Sequence, residues 1–239
     1  MPLPVAIESS RLRALGFRHG FATRALDFSA RLTPEERAEH AQTLALLLRY
    51  EPSRLFQVSQ VHGGTALLAE GAPSACAARE ADALVATTRD DAVGVRVADC
   101  VPVLLADPES GAVAAVHAGW RGIVAGISES AIALASERGA RFRVGAIGPC
   151  IGACCFEVGH DVAAKIAEAT GADVVDRTTD AKAWVNLRRA VRATLVRAGV
   201  TEVEDVGGCT KCSSEIYFSH RRDGELAGRH LAVIAAGRR

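Results

Sequence analysis

The stretch VGVRVADCVPVLLADPESGAVAAVHAGWRG, residues 93–122, decides how the chain folds. Three runs rich in valine, leucine and alanine (93–97, 101–106 and 112–116) succeed one another, and Asp107-Pro108-Glu109-Ser110-Gly111 supplies turn residues between the last two. They read as antiparallel strands. With the loop centred on Glu109, Val101 faces His117 and Cys100 lies one step away, so a thiol and an imidazole share one end of a hairpin. Gly119-Trp120-Arg121-Gly122 ends the last strand. Ile123, Ile127, Ala131 and Leu134 then recur at helical spacing up to Gly139, which predicts one helix over 123–138.

Outward from this centre, Thr33-Pro34-Glu35-Glu36 is a capping box with proline in the first turn, and Ala41, Leu44, Ala45 and Leu48 predict a helix over 34–49. Residues 54–61 and 65–69 read as strands with His62-Gly63-Gly64 as the turn between them, and 71–81 reads as a surface loop. A further strand runs through 142–148, helices cover 159–169 and 186–198, and HLAVIAA (230–236) is a last strand. Strands and helices interleave, but hairpins outnumber long crossovers. The expected class is therefore α+β with mixed sheets, as one domain over 1–239.

The 28 basic residues balance the 28 acidic ones, so no net field draws the protein to nucleic acid or to an anionic membrane, and a small molecule is the expected partner. The first residues lack a basic start followed by an apolar run, and no window is apolar enough to span a bilayer. A soluble, cytoplasmic protein is expected. The seven cysteines are odd in number and scattered, which suits reduced thiols better than a disulfide framework.

Taken singly, Cys100 and His117 fit a buried thiol and a hydrogen-bonded core histidine. Their flanks, Asp99 and the glycine-rich Gly119–Gly122 segment, are poor core filler and better suited to a site. Thiolate and imidazole together suit zinc.

With these segments in hand, the chain resembles the YfiH-type laccase-domain family, also called multicopper polyphenol oxidoreductases and purine nucleoside phosphorylases. The resemblance rests on GFATR (20–24), QVHG (60–63), ADALVAT (81–87), ADCVPVLLAD (98–107), AVHAGWRG (115–122), IGPCIGACCFEVG (147–159), CT (209–210) and SHRRDGELAGR (219–229). It implies a layered α/β/β/α fold shared with cysteine hydrolase-like toxins. It also implies one zinc ion on His62, Cys100 and His117, with the fourth position open as in catalytic sites. The implied reactions are phosphorolysis of adenosine, inosine and methylthioadenosine, together with adenosine deamination.

Within that reading Asp99 or another carboxylate is the expected proton carrier, with the fixing of a turn as the plainer role for Asp99, and Arg121, at the start of the predicted helix, is the expected phosphate ligand. Arg24, Gln60, Arg221 and Arg222 are further substrate-binding candidates, and Trp120 reads as a packing residue. The chain departs from the family pattern in a short segment after Arg24, in Val185-Asn186-Leu187 where Leu-Asp-Leu is usual, and at His220 where tyrosine is usual. These departures bear on substrate preference.

Three other readings stand beside this one. A multicopper laccase needs many imidazoles in His-x-His pairs, and the seven histidines form none, which leaves a single copper ion at the same ligands as the minor alternative. Cys100 as nucleophile with His117 as base would instead make a hydrolase that edits peptidoglycan precursors. A purely binding role is disfavoured by the open coordination position. Cys154-Cys155 with Cys209-Thr210-Lys211-Cys212 supplies the residues of a four-thiolate site. Neighbouring cysteines suit a tetrahedron poorly, however, and buried thiols are the expectation there.

Overall fold

Successive residues of a strand point to opposite faces, and that period divides the core of this protein into layers. The computed structural model describes residues 3–238. One mixed sheet of five strands has the order Ala6–Ile7 (β1), Phe17–Ala22 (β2), His230–Arg238 (β14), Ala92–Val97 (β6) and Leu55–Phe56 (β3). A second, of six strands, runs Glu202–Asp205 (β13), Val144–Ile147 (β9), Val101–Ala106 (β7), Val113–Ala118 (β8), Ala83–Ala86 (β5) and Ala66–Leu68 (β4). A small antiparallel sheet joins Glu157–Val158 (β10), Ala183–Val185 (β12) and Val175–Thr178 (β11).

The helices are Ser10–Ala14 (α1), Pro34–Leu48 (α2), Pro73–Ala77 (α3), Trp120–Val124 (α4), Ile127–Glu137 (α5), His160–Thr170 (α6), Leu187–Arg197 (α7) and His220–Asp223 (α8). None among the described residues is long and apolar enough to cross a membrane.

Strand β7 shows how the layers form. Val103 and Leu105 face α5, α6 and α7 together with Val85, Val116, Ile127, Ile166 and Leu195. Leu104 and Ala106 face the five-stranded sheet, among Phe21, Val93, Val95 and Ile234. Both faces of β7 are buried, so truncating Leu104 or Leu105 to alanine would cost about 2–5 kcal/mol. The outer face of the five-stranded sheet packs Leu231, Val233 and Ala235 against Leu44, Ala45 and Leu48 of α2. The result is helix, sheet, sheet, helix.

Several elements differ from the expectation. The hairpin is real, but Asp107 N–H donates to Ala112 O, so the loop includes Ala112 and the register places Pro102, not Val101, opposite His117. The run 93–97 does not pair with 101–106; β6 lies in the five-stranded sheet and the chain crosses between sheets through 98–100. Likewise the strand expected over 54–61 shrinks to Leu55–Phe56, and the chain crosses to the other sheet before Ala66. His62 therefore sits on a crossing and not in a hairpin turn. The helix expected over 123–138 is two helices, because Gly126 adopts φ +74°, a left-handed conformation that ends α4. The surface loop over 71–81 contains α3, which buries Cys76.

Candidate metal centre

Two crossings and one strand end meet at a rim of the sandwich. The segment after β3 brings His62, the segment between β6 and β7 brings Cys100, and the end of β8 brings His117. The ligand atoms of the three side chains lie within 4.8 Å of one another. The imidazoles are 4.7 Å apart between ring centres and inclined at 73°, so their nitrogens converge without stacking. His62 is exposed, Cys100 half-buried and His117 buried, which gives the cluster one open side. A Cβ on Gly119 would stand 3.0 Å from Cys100 Sγ and 3.1 Å from His62 Cδ2, so glycine at this position leaves the ligands room.

Asp82, one residue before β5 and fully buried, holds two of the three. Its carboxylate accepts from the backbone N–H groups of Val61 (3.3 Å), His62 (2.9 Å) and Gly63 (2.6 Å). His117 Nδ1 lies 2.7 Å from Asp82 Oδ1. An ionised carboxylate only accepts, so Nδ1 carries a proton, and Nε2 is the ring nitrogen turned toward the cluster. Burial pushes the Asp82 carboxyl up, but His117 and the loop N–H groups outweigh it and hold it below the usual range. These bonds also stabilise the left-handed backbone of His62 (φ 61°), which costs a non-glycine residue on the order of 1–3 kcal/mol.

Asp99 plays a parallel part on the second crossing. Its φ is +83°, and its carboxylate accepts from Thr210 Oγ1 (2.5 Å), Ser219 Oγ (3.1 Å) and the Arg221 N–H (2.6 Å). Both oxygens are thereby engaged, beside the Cys100 they position. Burial raises the Cys100 thiol, but the charge and hydrogen bonds of His117 and His62 bring it down to about 6. In return His117 is raised to about 9, burial being outweighed by the Cys100 thiolate and Asp82. The cluster holds a thiolate poised between imidazoles.

The open side faces a cavity of about 670 Å³ lined by Phe28, Ser29, Gln60, Arg96, Asp99, Trp120, Phe156, Arg221 and Arg229 among others. The expected substrate residues divide. Arg221 lines the cavity, with its guanidinium 5.5 Å from the Phe156 ring centre. Gln60 also lines it, but its amide is zipped to the Arg96 backbone through two bonds of 2.8 Å. Arg24 is spent on Ser214 O and the Phe218 ring, and Arg222 on Asp223 and the carbonyls of Thr210, Lys211 and Tyr217. Neither lines the cavity. Arg121 stacks 4.6 Å over Trp120, outside the lining, on a helix of only five residues.

Two functional candidates escape the sequence reading. Asp82 had a signal, a carboxylate directly before the wholly apolar run ALVA, where burial demands partners. Arg96 sits inside β6, and its pKa is lowered by burial and then by the like charges of Arg37 and Arg229. No carboxylate lies within ion-pair distance of it among the described residues. The departures after Arg24 and at His220 fall on the cavity wall.

Four of the remaining cysteines correct the expectation of buried thiols, while Cys76 and Cys150 are buried. Cys154 and Cys212 are exposed, Cys155 and Cys209 half-exposed, and their four sulfurs lie within 4.8 Å of one another.

A family model described as multi-copper polyphenol oxidoreductase laccase matches residues 11–237. A purine nucleoside phosphorylase of Deinococcus radiodurans is 37% identical over 240 residues, covering 94% of this chain and 91% of that protein. Adenosine deaminase RL5, from an unknown prokaryotic organism, is 41% identical over 160 residues, covering 64% of this chain and 61% of its own length. The crystal structure of YfiH from Bacillus licheniformis has the same fold, with a TM-score of 0.87 at 24% identity over 98% of this chain and 97% of that one. A match of this length, on top of the shared fold and motifs, places the chain in the YfiH-type laccase-domain family.

Proposed function

We propose that this protein is a zinc-dependent purine nucleoside enzyme, carrying out phosphorolysis of nucleosides such as adenosine and inosine, with adenosine deamination in the same cavity. One observation carries the reading: His62, Cys100 and His117 converge at the floor of a cavity that holds both aromatic faces and arginines without carboxylate partners. The names of the relatives agree with it. The donors fit the metal. A low-pKa thiolate and two imidazoles, one oriented through Nδ1 by a buried carboxylate, make a three-ligand set with one position to spare. Bound zinc supplies Lewis acidity at that position.

The chain's own residues do the rest. Phe28 and Phe156 offer apolar faces to the base, and the cavity size suits a nucleoside. In phosphorolysis the bond between ribose C1′ and the purine nitrogen breaks and a C1′–oxygen bond to phosphate forms. Arg96, with Arg229 beside it, is the best-placed cradle for the phosphate, since an anion relieves the repulsion between them. Asp99 is a positioning residue, holding the crossing that presents Cys100.

The test is incubation with adenosine and inosine, with and without phosphate, followed by chromatography of the released base. Hypoxanthine release that requires phosphate and is abolished by a chelator supports the proposal. No turnover of either nucleoside by zinc-loaded protein refutes it. A copper reading keeps one specific support, the family's description together with a thiolate and imidazole donor set that copper also accepts. Stoichiometric copper without zinc, in protein purified with no added metal, would favour it.

A further inference from the structure

Four cysteines outside the site just described come from two distant turns. Cys154 and Cys155 lie in the turn closed by the Cys155 and Phe156 N–H groups, both bonded to Gly152 O. Cys209 and Cys212 bracket a second turn, anchored to the first by the Thr210 N–H on Cys150 O. Cys212 Sγ is 3.5 Å from Cys154 Sγ and 3.3 Å from Cys155 Sγ, and all four sulfurs fall within 4.8 Å of one another. Zinc–sulfur bonds of about 2.3 Å in a tetrahedron put sulfurs about 3.8 Å apart, inside the observed spread. All four thiols are free.

Apolar packing does not account for this cluster, because two of its members are exposed and none is fully buried. The backbone around it has the features of a thiolate nest. The N–H groups of Gly152 (3.2 Å) and Cys212 both bond to Cys209 Sγ, as donors do around metal-bound sulfur. A Cβ on Gly152 would stand 3.1 Å from Cys209 Cβ and 3.2 Å from Cys154 Sγ, so the close approach of the two turns depends on glycine there. Four thiolates on a divalent ion leave two excess negative charges. Lys211 is inside the second turn, and Arg188 and Arg222 bond to carbonyls of Gly208, Thr210 and Lys211.

We propose that Cys154, Cys155, Cys209 and Cys212 form a second zinc site, closed and structural, separate from the His62 cluster. Its position gives it a purpose. The first turn carries Ile151 and Phe156 into the cavity wall, and the Ile151 N–H bonds to Asp99 O. The second turn carries Thr210, whose hydroxyl bonds to Asp99 Oδ1. Both turns therefore hold the residue next to Cys100, and a metal that ties them together fixes that crossing from outside. The proposal is independent of the nucleoside reading, since it concerns other residues and is read out by metal content.

The experiment uses anaerobically purified full-length protein grown without added metal. Zinc is counted in the wild type, in Cys100→Ser and in Cys209→Ser/Cys212→Ser. Cys100→Ser should still hold zinc and, reloaded with cobalt, show an intense thiolate-to-cobalt charge-transfer band with the d–d spectrum of a tetrahedral four-sulfur site. That band should be lost when Cys209 and Cys212 are also replaced. Folding of the variants does not limit the test, because alkylation of the wild type gives a second reading. The four cysteines should resist iodoacetamide until a chelator is added and then react, as judged by peptide mass. Zinc-free Cys100→Ser, four cysteines that alkylate at once in metal-loaded wild type, or a Cys154–Cys212 disulfide in the anaerobic protein would each overturn the proposal.

Discussion

Replacing Asp82 by asparagine separates the scaffold of the His62 cluster from its chemistry. The carboxylate accepts four hydrogen bonds, three from the 61–63 backbone and one from His117 Nδ1, and it is wholly buried. Asparagine keeps one acceptor oxygen and turns an NH2 group toward donors that need an acceptor. Bonds to a charged group contribute about 1.5–3 kcal/mol each; Oδ2 takes the Val61 and Gly63 N–H groups and Oδ1 takes His62 N–H and His117 Nδ1, so asparagine keeps one pair only by turning its NH2 onto the other. A net loss of about 3 kcal/mol in the stability of the metal-free protein is expected. Against a typical domain stability of about 5–15 kcal/mol the variant still folds.

The effect on metal is separate. Without the carboxylate, the Nδ1 proton and the ring plane of His117 are no longer fixed, and loss of such a partner lowers zinc affinity by about 10–100-fold, or about 1.4–2.8 kcal/mol. Competition with a chromophoric chelator measures the second number, and urea unfolding of the metal-free protein the first. Zinc affinity within twofold of the wild type, in a variant whose unfolding midpoint has also not moved, would refute the role given to Asp82.

Three further outcomes follow from named contacts. Gly119→Ala adds a methyl within about 3 Å of two ligands at a φ of −68° that alanine accepts; zinc affinity should fall about tenfold while urea stability changes by less than about 1 kcal/mol. Arg96→Gln should raise the apparent KM for phosphate at least about tenfold with zinc content unchanged, and an unchanged KM would remove Arg96 from the phosphate cradle. Glu204 accepts from Ser9 Oγ, Ser10 Oγ and the Ser10 and Arg11 N–H groups at the start of α1. Burial raises its carboxyl, but these donors hold it at about 2, below the ordinary 4.5. A depressed carboxyl stabilises above its unfolded pKa and loses that contribution as pH falls toward the folded one. Unfolding free energies of wild type and Glu204→Gln from urea titrations, stepped from pH 6 to about 2, should therefore converge on acidification from a difference of about 2 kcal/mol.

The parts of the fold that were legible are those set by a local period. Continuous runs of valine, leucine and alanine marked β7, β8 and β14, and the capping box and apolar spacing marked α2, which begins and ends within a residue of expectation. What a period does not carry is sheet membership. The runs 93–97 and 101–106 look alike, yet they lie in different sheets because Asp99 turns the chain through a left-handed residue held by Thr210 and Ser219 from more than a hundred residues away. Helical spacing likewise runs unbroken through Gly126, and only the φ of that glycine separates α4 from α5. Cys100 and His117 were legible as neighbours because one hairpin joins them, even with the register off by one. His62 was not, since its place depends on a bond network centred on Asp82, and the motif resemblance supplied it. Arg24, Arg121 and Arg222 were credible by residue type, but type does not reveal that a guanidinium is already committed to carbonyls or to an aromatic ring.

The geometry also explains why the site stands where the sheets exchange strands. A strand interior offers side chains on fixed faces at fixed spacing, and the faces here are taken by the core. Crossings are free of that constraint and can aim His62 and Cys100 at the end of β8, but they bring left-handed backbone at His62 and Asp99 that unsupported loops would not keep. Each crossing accordingly has its own buried or nearly buried carboxylate, Asp82 for one and Asp99 for the other. Asp82 is held rigidly by β5, whereas Asp99 is held by the start of the four-residue helix α8 and by two turns with little secondary structure of their own. If the four cysteines tie those turns together, the stiffness that β5 gives one crossing is supplied to the other by a metal. Stripping that metal should then loosen Cys100 while leaving His62 and His117 in place.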